Sequence, residues 1–469
     1  MSNYSTLAEP KLLLATQKIC ALLIKRGGYP HFVGGCVRDA LLNIPVADFD
    51  VEVFGLTFDH IQKILIPEFN FTVQKCGLQN GTSFCIIKIS GFNIDISVPR
   101  METQIGPKHT DFHIQQLEKC DVAEAASRRD FTVNAIYFNV FSNEICDPHG
   151  GIRDLRDRIL RNVSAKFSED PLRVLRGMQF AARFGMVASD GVIELANELT
   201  PNELSPERVF CEWKKLIVFG VKLSMGLRFL KDCKWTQFFP EIDALIHCDQ
   251  DPYHHPEGNV FEHTCLALDL YAADRTGSRE DDLAVGFATL CHDFGKPQTA
   301  TVDERGIHHY GHGAAGVLLL RKFLGSMRAP KRLISDVEVL VKHHMAVRDI
   351  FKKVSGREPA LLRLANDVGR LDRLARLCKY DGNGRGGCWG PEQYEVEEAF
   401  WLEKTASKLG VLQSKPAPII LGRDLLALGL PPSPKFSETL SLCFEAQLDM
   451  KFSNHGEGVK FLKNILQLT

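Results

Sequence analysis

Two adjacent glycines end an apolar run, a short helix-forming stretch follows, and a strand then opens on two aspartates. This order restricts the N-terminal part of the chain to a strand–turn–helix–strand unit. The segment is FVGGCVRDALLNIPVADFDVEVFGL, residues 32–56. HFV reads as a strand stopping at Gly34 and Gly35, and VRDALLN as a helix that starts directly after them. Paired glycines let a backbone approach a phosphate closely, a helix start offers free N–H groups, and Arg38 in the first turn adds charge. Alone, such a turn is equally a plain structural link. Downstream of it, Asp48-Phe49-Asp50 leads into the alternating run VEVFG. On a strand, residues two apart point to one side, so both carboxylates face one spot while Phe49 faces the other. Converging carboxylates suit Mg²⁺ ions that activate a hydroxyl and neutralise a triphosphate during in-line transfer. A lone pair of this kind more often marks a solvent-facing strand end; the glycine turn upstream reverses that balance.

The texture then changes along the 469 residues, a length that predicts about two to four domains. Up to about 160, short apolar and β-branched runs (TSFCIIKISGFNIDISV, NAIYFNV) alternate with Gly and Asn turns and read as α/β with a small sheet. From about 165, helical apolar spacing dominates, as in LRVLRGMQFAARF and LLRLANDVGRLDRLARLCKY. Pro and Gly clusters near 250–258, 382–391 and 415–435 suggest boundaries. The 14 cysteines contain no CxxC pair and read as reduced and mostly buried. A net charge of −2 gives no global attraction for phosphates, so any nucleic-acid surface must be local. No run approaches the ~18 apolar residues that span a membrane. The N-terminal stretch lacks a basic start and small-residue cleavage site, which predicts a cytoplasmic protein with no membrane partner.

GGCVRD followed by DFD resembles the polymerase-β-like nucleotidyltransferases, specifically the class II tRNA nucleotidyltransferases and the related bacterial poly(A) polymerases. The resemblance continues in order through IDISVPRMET (94–103), RRDFTVNA (128–135), DPHGGIRDL (147–155), EDPLRVLR (169–176) and LSPERVFCEWKKL (204–216). It implies an α/β N-terminal head with a polymerase-β-like nucleotidyltransferase sheet over 1–160, followed by an all-α neck (161–225), body (226–400) and tail (401–469). Asp48 and Asp50 are then the catalytic pair holding Mg²⁺, and Gly35, Arg38 and Arg129 bind the triphosphate. Asp130 contacts the nucleotide with support from Asn134; a guanidinium pairs bidentately with phosphate, and a carboxylate accepts from a ribose hydroxyl. Asp95, in the strand IDIS, is a candidate third carboxylate.

In EDPLRVLRGMQFAARFG, Ser168 is the expected cap of a helix whose first turn tolerates Pro171. Asp170 and Arg173 are then i,i+3 neighbours on one face. A carboxylate beside a guanidinium can read a Watson–Crick edge. Cytosine and adenine offer an amine next to a ring acceptor; guanine and uracil present a carbonyl to a carboxylate that cannot donate. Such a pair selects CTP and ATP without a nucleic-acid template, which is the role the resemblance implies for these two positions. An ordinary helix-start salt bridge is the plain alternative. Arg176 continues the face towards the nucleotide, whereas Gln179 stands where many relatives carry Arg. The polar stretch 104–127 is expected to be a mobile loop over the active site. Arg153, Arg156, Arg158, Arg161 and Lys166 can track an acceptor-stem backbone or form a solvated face.

His263, the pair His292-Asp293 and Asp381 resemble the H…HD…D pattern of the HD phosphohydrolases. Imidazole and carboxylate ligands suit a divalent transition metal. His309, His312, His343 and His344 resemble further histidines of that superfamily. In the tail, which the resemblance assigns to tRNA contact, Arg423 and Asp424 begin a helix and serve equally as a cap. The leading expectation is transfer of CMP or AMP from CTP or ATP onto the tRNA 3′ end. Rivals are a CC-only or A-only enzyme, a poly(A) polymerase, an HD-type phosphohydrolase with the head kept for RNA docking, and a non-catalytic tRNA-binding protein. Oligomeric state is left open.

Overall fold

The computed structural model describes residues 4–76, 84–104, 112–116, 121–202, 204–385 and 396–467. The chain forms two compact units, Met1–Phe238 and Phe239–Thr469.

In the first unit the strands are β1 (Tyr29–Val33), β2 (Phe49–Phe54), β3 (Phe71–Cys76), β4 (Phe84–Ile89), β5 (Ile94–Ser97), β6 (Arg100–Gln104), β7 (Phe112–Gln116), β8 (Tyr137–Asn139) and β9 (Glu144–Cys146). Among the described residues, seven of them form one sheet in the order β3-β4-β5-β2-β1-β8-β9. Only the β2–β5 pairing is parallel within it; it sets Asp50 beside Asp95. The antiparallel β1–β2 pairing sets Val33 beside Asp50. Period-two alternation decides the faces of β2. Phe49, Val51 and Val53 are buried on one side, where Phe49 packs on Phe32 with ring centroids 4.8 Å apart. Asp48 and Asp50 emerge towards solvent on the other.

Helix α1 (Pro10–Ile24) starts on a proline and packs on β1, while α2 (Gly35–Leu41) follows the Gly34 turn. After the sheet come α3 (Leu172–Phe184), α4 (Pro206–Phe219) and α5 (Leu223–Asp232). Buried Val174, Leu175, Met178 and Ala181 line α3, which packs on both α4 and α5. At Gly177 an added Cβ would lie 2.3 Å from the Phe229 ring, so glycine permits the close approach of α3 and α5.

The second unit is built from α6 (Val260–Ala273), α7 (Arg279–Cys291), α8 (His312–Ser326), α9 (Lys331–His343), α10 (Leu371–Asn383) and α11 (Glu397–Lys408), with a hairpin of Ala300–Asp303 and Gly306–His309. Its C-terminal helices, α12 (Gly422–Ala427), α13 (Lys435–Leu448) and α14 (His455–Ile465), close on a small core of Ile420, Leu425, Cys443, Phe452 and Leu462. No helix among the described residues is long and apolar enough to cross a membrane.

Three expectations need correction. The stretch 104–127 is not a loop throughout, because β6 and β7 pair as an antiparallel hairpin and Val122–Ala126 is helical; residues 105–111 and 117–120 lie outside the described residues. The glycine cluster at 382–391 does not break the chain at its start, since α10 runs to Asn383; residues 386–395 lie outside the described residues. Ser168 caps nothing: it sits inside a 3₁₀ turn, Ala165–Glu169, that is capped by Ser164.

Candidate active site and histidine–aspartate centre

Asp50 is the second residue of β2 and Asp48 precedes it. Gly34, at φ +71°, turns the chain away from β1 beside this pair. An added Cβ would stand 3.2 Å from Arg129 Nη1 and 3.5 Å from Asp50 Oδ2, so a glycine is what lets the turn lie against both. Asp95 is ion-paired with Lys88 of β4 at 2.5 Å. Surrounding protein pushes the pKa of Asp50 up to about 6; Asp48 and Asp95 add to the rise while Arg129 and Lys88 oppose it. Asp48 is raised too, first by desolvation and then by Asp39. Carboxylates with solvent access that repel one another in this way fit a hard divalent cation such as Mg²⁺, which takes oxygen ligands.

Behind the pair, Glu52 is fully buried on the same edge of β2. Its carboxylate accepts from Arg128 Nη2 at 2.7 Å and from the Tyr137 hydroxyl at 2.8 Å, with Arg129 Nη2 at 3.9 Å. Burial alone would raise the pKa of Glu52; Arg128 and Arg129 outweigh it and hold the carboxyl below its usual range. Arg129 also donates through Nε to the Tyr137 hydroxyl at 3.3 Å. Neither Glu52 nor Tyr137 stands out in the sequence.

Arg38 is held by the protein's own groups. Its side chain is buried, Nε and Nη2 donate to Asp39 Oδ1, Nη1 donates to Asn134 Oδ1, and its guanidinium lies 4.4 Å from the Phe184 ring centroid. It ties α2 to Asn134 and to the Phe184 ring. Gly35 opens α2. Asp130 accepts from Phe131 N, from Asn134 Nδ2 at 3.0 Å and from Arg176 Nε at 2.6 Å. Arg176, with help from Asn134, overcomes burial and lowers its pKa to about 2. Arg176 is thus anchored to the head sheet's RRD segment, and Gln179 is buried.

Arg173 N donates to Asp170 O at 3.0 Å, an i,i+3 bond of the backbone, while their side chains hold other partners. Asp170 precedes α3 with extended backbone, accepts from Leu172 N at 3.0 Å and pairs with Arg208 of α4 at 2.7 Å. Arg173 donates to the carbonyls of Lys166 and Arg128. The basic run before α3 is paired in part: Arg153 and Arg156 share Asp157, Arg161 pairs with Asp154, and Arg158 donates to Phe184 O.

In the second unit, His263 on α6, His292 and Asp293 at the end of α7, and Asp381 on α10 converge. His263 Nε2 lies 3.1 Å from Asp381 Oδ1 and 3.9 Å from Asp293 Oδ2; His292 Nε2 lies 3.1 Å from Asp293 Oδ2 and 3.9 Å from Asp381 Oδ1. Burial would lower the pKa of His263, but Asp381 and Glu257 raise it to about 9. His292 Nε2 is buried without a hydrogen-bond partner, a donor-set signature that a cation satisfies. His312 and His344 join the centre from its other side. His309 bonds the carbonyl of Lys296, and His343 lines a separate pocket with Asp367 and Lys415. A cavity of about 250 Å³ opens onto Asp293, with Lys296, Arg348 and Arg385 in its wall. In the tail, Asp424 accepts from Leu421 N and pairs with His455, which is a helix cap.

Residues 30–161 match the family described as "Poly A polymerase head domain" and residues 260–377 match "HD domain". The "Multifunctional CCA protein" of Tolumonas auensis is 32% identical over 393 residues, covering 79% of this chain and 89% of the relative. The chain belongs to the multifunctional CCA protein family of tRNA nucleotidyltransferases. Its fold is that of the CCA-adding enzymes: the structure described as "Crystal structure of Bacillus stearothermophilus CCA-adding enzyme in complex with CTP" superposes with a TM-score of 0.65 at 20% identity over 98% of each chain. "Thermotoga maritima CCA-adding enzyme complexed with tRNA_CCA" gives 0.59 at 16% identity, covering 99% of this chain and 98% of the other. For this CCA-family chain, the residues missed from sequence are those acting at a distance along the chain, Glu52 on Arg128 and Arg208 on Asp170. The alternation in VEVFG and the ERVFCE segment were their only sequence signals.

Proposed function

We propose that this chain adds C and A nucleotides to the tRNA 3′ end, using CTP and ATP and releasing pyrophosphate. The observation that carries this reading is the convergence of Asp48 and Asp50 with the Gly34 turn and Arg129, in a unit where Asp170 precedes α3 and Arg173 lies in its first turn. Mg²⁺ held by Asp48 and Asp50, with Asp95 as the nearby third carboxylate, would supply charge neutralisation on the triphosphate and activation of the 3′ hydroxyl. Arg129, fixed by Tyr137 and Glu52, offers its guanidinium to phosphate beside the glycine turn. Asp130 and Arg176 hold each other and line up the strand-to-helix junction. Asp170 accepts from the exocyclic amine of C or A, and Arg173 donates to the adjacent ring nitrogen. CCA-adding enzymes of this fold solved with CTP, ATP and tRNA support the same substrates. We read the chain as head 1–160, neck 161–225, body 226–400 and tail 401–469, acting in the cytoplasm where tRNA is processed.

A second reading concerns the other unit. His263, His292, Asp293 and Asp381 form a nitrogen–oxygen donor set suited to a divalent transition metal, and the cavity beside them carries Lys296, Arg348 and Arg385. We infer a metal-dependent phosphohydrolase activity there. The deciding assay supplies purified protein with tRNA transcripts ending before CCA, after C or after CC, and each NTP separately. Stepwise incorporation of C, C and A is expected. Incorporation of C alone or A alone identifies a CC-only or A-only enzyme, long A tails a poly(A) polymerase, and equal use of UTP or GTP defeats the base-selection reading.

A further inference from the structure

We propose that a cavity at the C-terminal end of α3 binds one phosphodiester of the tRNA acceptor strand, held by Arg158, Arg183 and Lys222, so that the strand's last nucleotide meets Asp48. This rests on the transfer reading of the first unit and names where its second substrate is gripped.

The cavity measures about 450 Å³, within the roughly 300–1,000 Å³ of small-ligand sites. Three cations line it, Arg158, Arg183 and Lys222, and no carboxylate does. Their charge is incompletely answered from outside. Arg183 Nη2 reaches Asp39 Oδ2 at 3.2 Å, but Oδ1 of that carboxylate already accepts from Arg38 at 2.6 Å, so one anion serves two guanidiniums. Lys222 is exposed and has no ion pair among the described residues. It also precedes the first turn of α5, where the helix dipole repels a cation and favours an anion. Leu42, Ile44, Val221 and Met225 supply an apolar floor. Cations over such a floor suit a phosphate joined to a sugar and base better than a bare inorganic anion, which gains nothing from apolar contact.

The backbone at Arg158 supports the same ligand. It sits at φ 58°, ψ 42° at the end of the helix Gly151–Asp157. That left-handed conformation is the usual place of glycine at a helix end, and a long side chain there carries strain. The strain delivers a guanidinium to the cavity wall, where Nη1 donates to Phe184 O at 2.9 Å. Capping that carbonyl occupies one of its five N–H groups. Arg183 lies over the rings of Phe184 and Phe219, its guanidinium 4.8 and 5.7 Å from their centroids. A guanidinium so held loses little freedom on gripping phosphate.

Arg183 also links the cavity to the catalytic pair. Desolvation and then Asp39 raise the pKa of Asp48, while Arg38 and Arg183 oppose the rise. At Asp50 desolvation is opposed first by Arg129. The pair is thus flanked by Arg183 at Asp48 and by Arg129 at Asp50. In-line transfer puts the attacking hydroxyl and the leaving pyrophosphate on opposite sides of the reacting phosphorus. With the triphosphate at the Gly34 turn and Arg129, the strand that brings the hydroxyl approaches past Arg183.

The test uses full-length protein and tRNA ending before CCA, made with an uncharged methylphosphonate at one 3′-terminal linkage at a time. Fluorescence anisotropy without nucleotide gives binding, and single-C extension gives KM for tRNA and for CTP. Lys222→Gln and, independently, Arg158→Gly are expected to weaken binding of unmodified tRNA roughly two- to fivefold, the scale of an exposed charge pair. Each should also lower the slope of log affinity against log salt by about 0.7 and leave KM for CTP unchanged. One methylphosphonate linkage should weaken the parent by a similar factor and cost each variant nothing further, because a contact is lost only once. Circular dichroism checks folding, and loss of fold in one variant leaves the other to decide; glycine suits the backbone at 158. Linkages that cost variants and parent alike, or a raised KM for CTP without one for tRNA, overturn the strand site. A parent that binds tRNA yet incorporates nothing defeats the transfer reading, and the linkage comparison in the binding assay still decides the cavity.

Discussion

Glu52 accepts a hydrogen bond from Arg128 at 2.7 Å on the same strand that carries Asp50, and it does so with no exposure to solvent. A buried carboxylate there is tolerated because Arg128 and Arg129 supply counter-charge and Tyr137 fills a further acceptor site. Glu52→Ala removes the counter-charge and should cost about 3 kcal/mol, the scale for breaking a buried ion pair. Glu52→Gln, which keeps an acceptor, should melt nearer the parent yet raise KM for CTP, since Arg129 loses its anchor. Thermal unfolding and steady-state kinetics check both. Equal melting of the alanine variant and the parent would disprove the argument.

Asp50 ties the metal pair to pH. Its pKa of about 6 arises from desolvation, with Asp48 and Asp95 adding repulsion. A raised carboxyl keeps its proton to higher pH, so below that value a cation must displace it. Mg²⁺ affinity is therefore expected to fall towards tenfold per pH unit as pH drops from about 6 to 5, and to be nearly flat from about 7 to 8. Calorimetric titration of Mg²⁺ across this range measures it. A flat affinity down to pH 5 would show that Asp50 is ionised there.

Asp170→Asn exchanges an obligate acceptor for a group that can also donate. Uracil presents a carbonyl where cytosine presents an amine, so the variant should accept UTP. We expect the preference for CTP over UTP to narrow by ~10–100-fold, about 1–3 kcal/mol. Single-nucleotide extension of tRNA lacking its terminal CCA reads this directly. An unchanged preference would remove Asp170 from base selection.

Chelation should separate the units. Stripping transition metal from the histidine–aspartate centre is expected to abolish phosphoester hydrolysis and lower the melting of the second unit. A ligand at 100 times its Kd contributes about 2.7 kcal/mol. Nucleotide transfer assayed afterwards in excess Mg²⁺ should persist. If transfer and hydrolysis were lost together and neither returned with Mg²⁺, the two centres would not be independent.

The particular residues show why some of this was legible in sequence. Asp48 and Asp50 were, because a period of two in DFDVEVFG fixes their side of β2 regardless of what packs behind it. His263, His292, Asp293 and Asp381 were also brought together as expected. Asp170 stands just before α3 with an extended backbone, so its i,i+3 link to Arg173 runs through the main chain, and its side-chain partner Arg208 lies 38 residues away. The bond from Arg38 to Asn134 was not legible, because its partner lies 96 residues away. Glu52 was hidden for the same reason, since Arg128, which neutralises it, and Tyr137, which donates to it, lie 76 and 85 positions along the chain.

In the base-reading role proposed for Asp170 and Arg173, the partners these side chains already hold bear on fidelity. Asp170 is engaged by Leu172 N and Arg208, and Arg173 by two backbone carbonyls. An incoming base therefore competes with bonds the protein makes to itself. A base that matches at one position gains one interaction, and the other side chain stays where it was. In that role, only a base that satisfies both repays the exchange, which would make rejection of the wrong nucleotide the resting condition and acceptance what must be won.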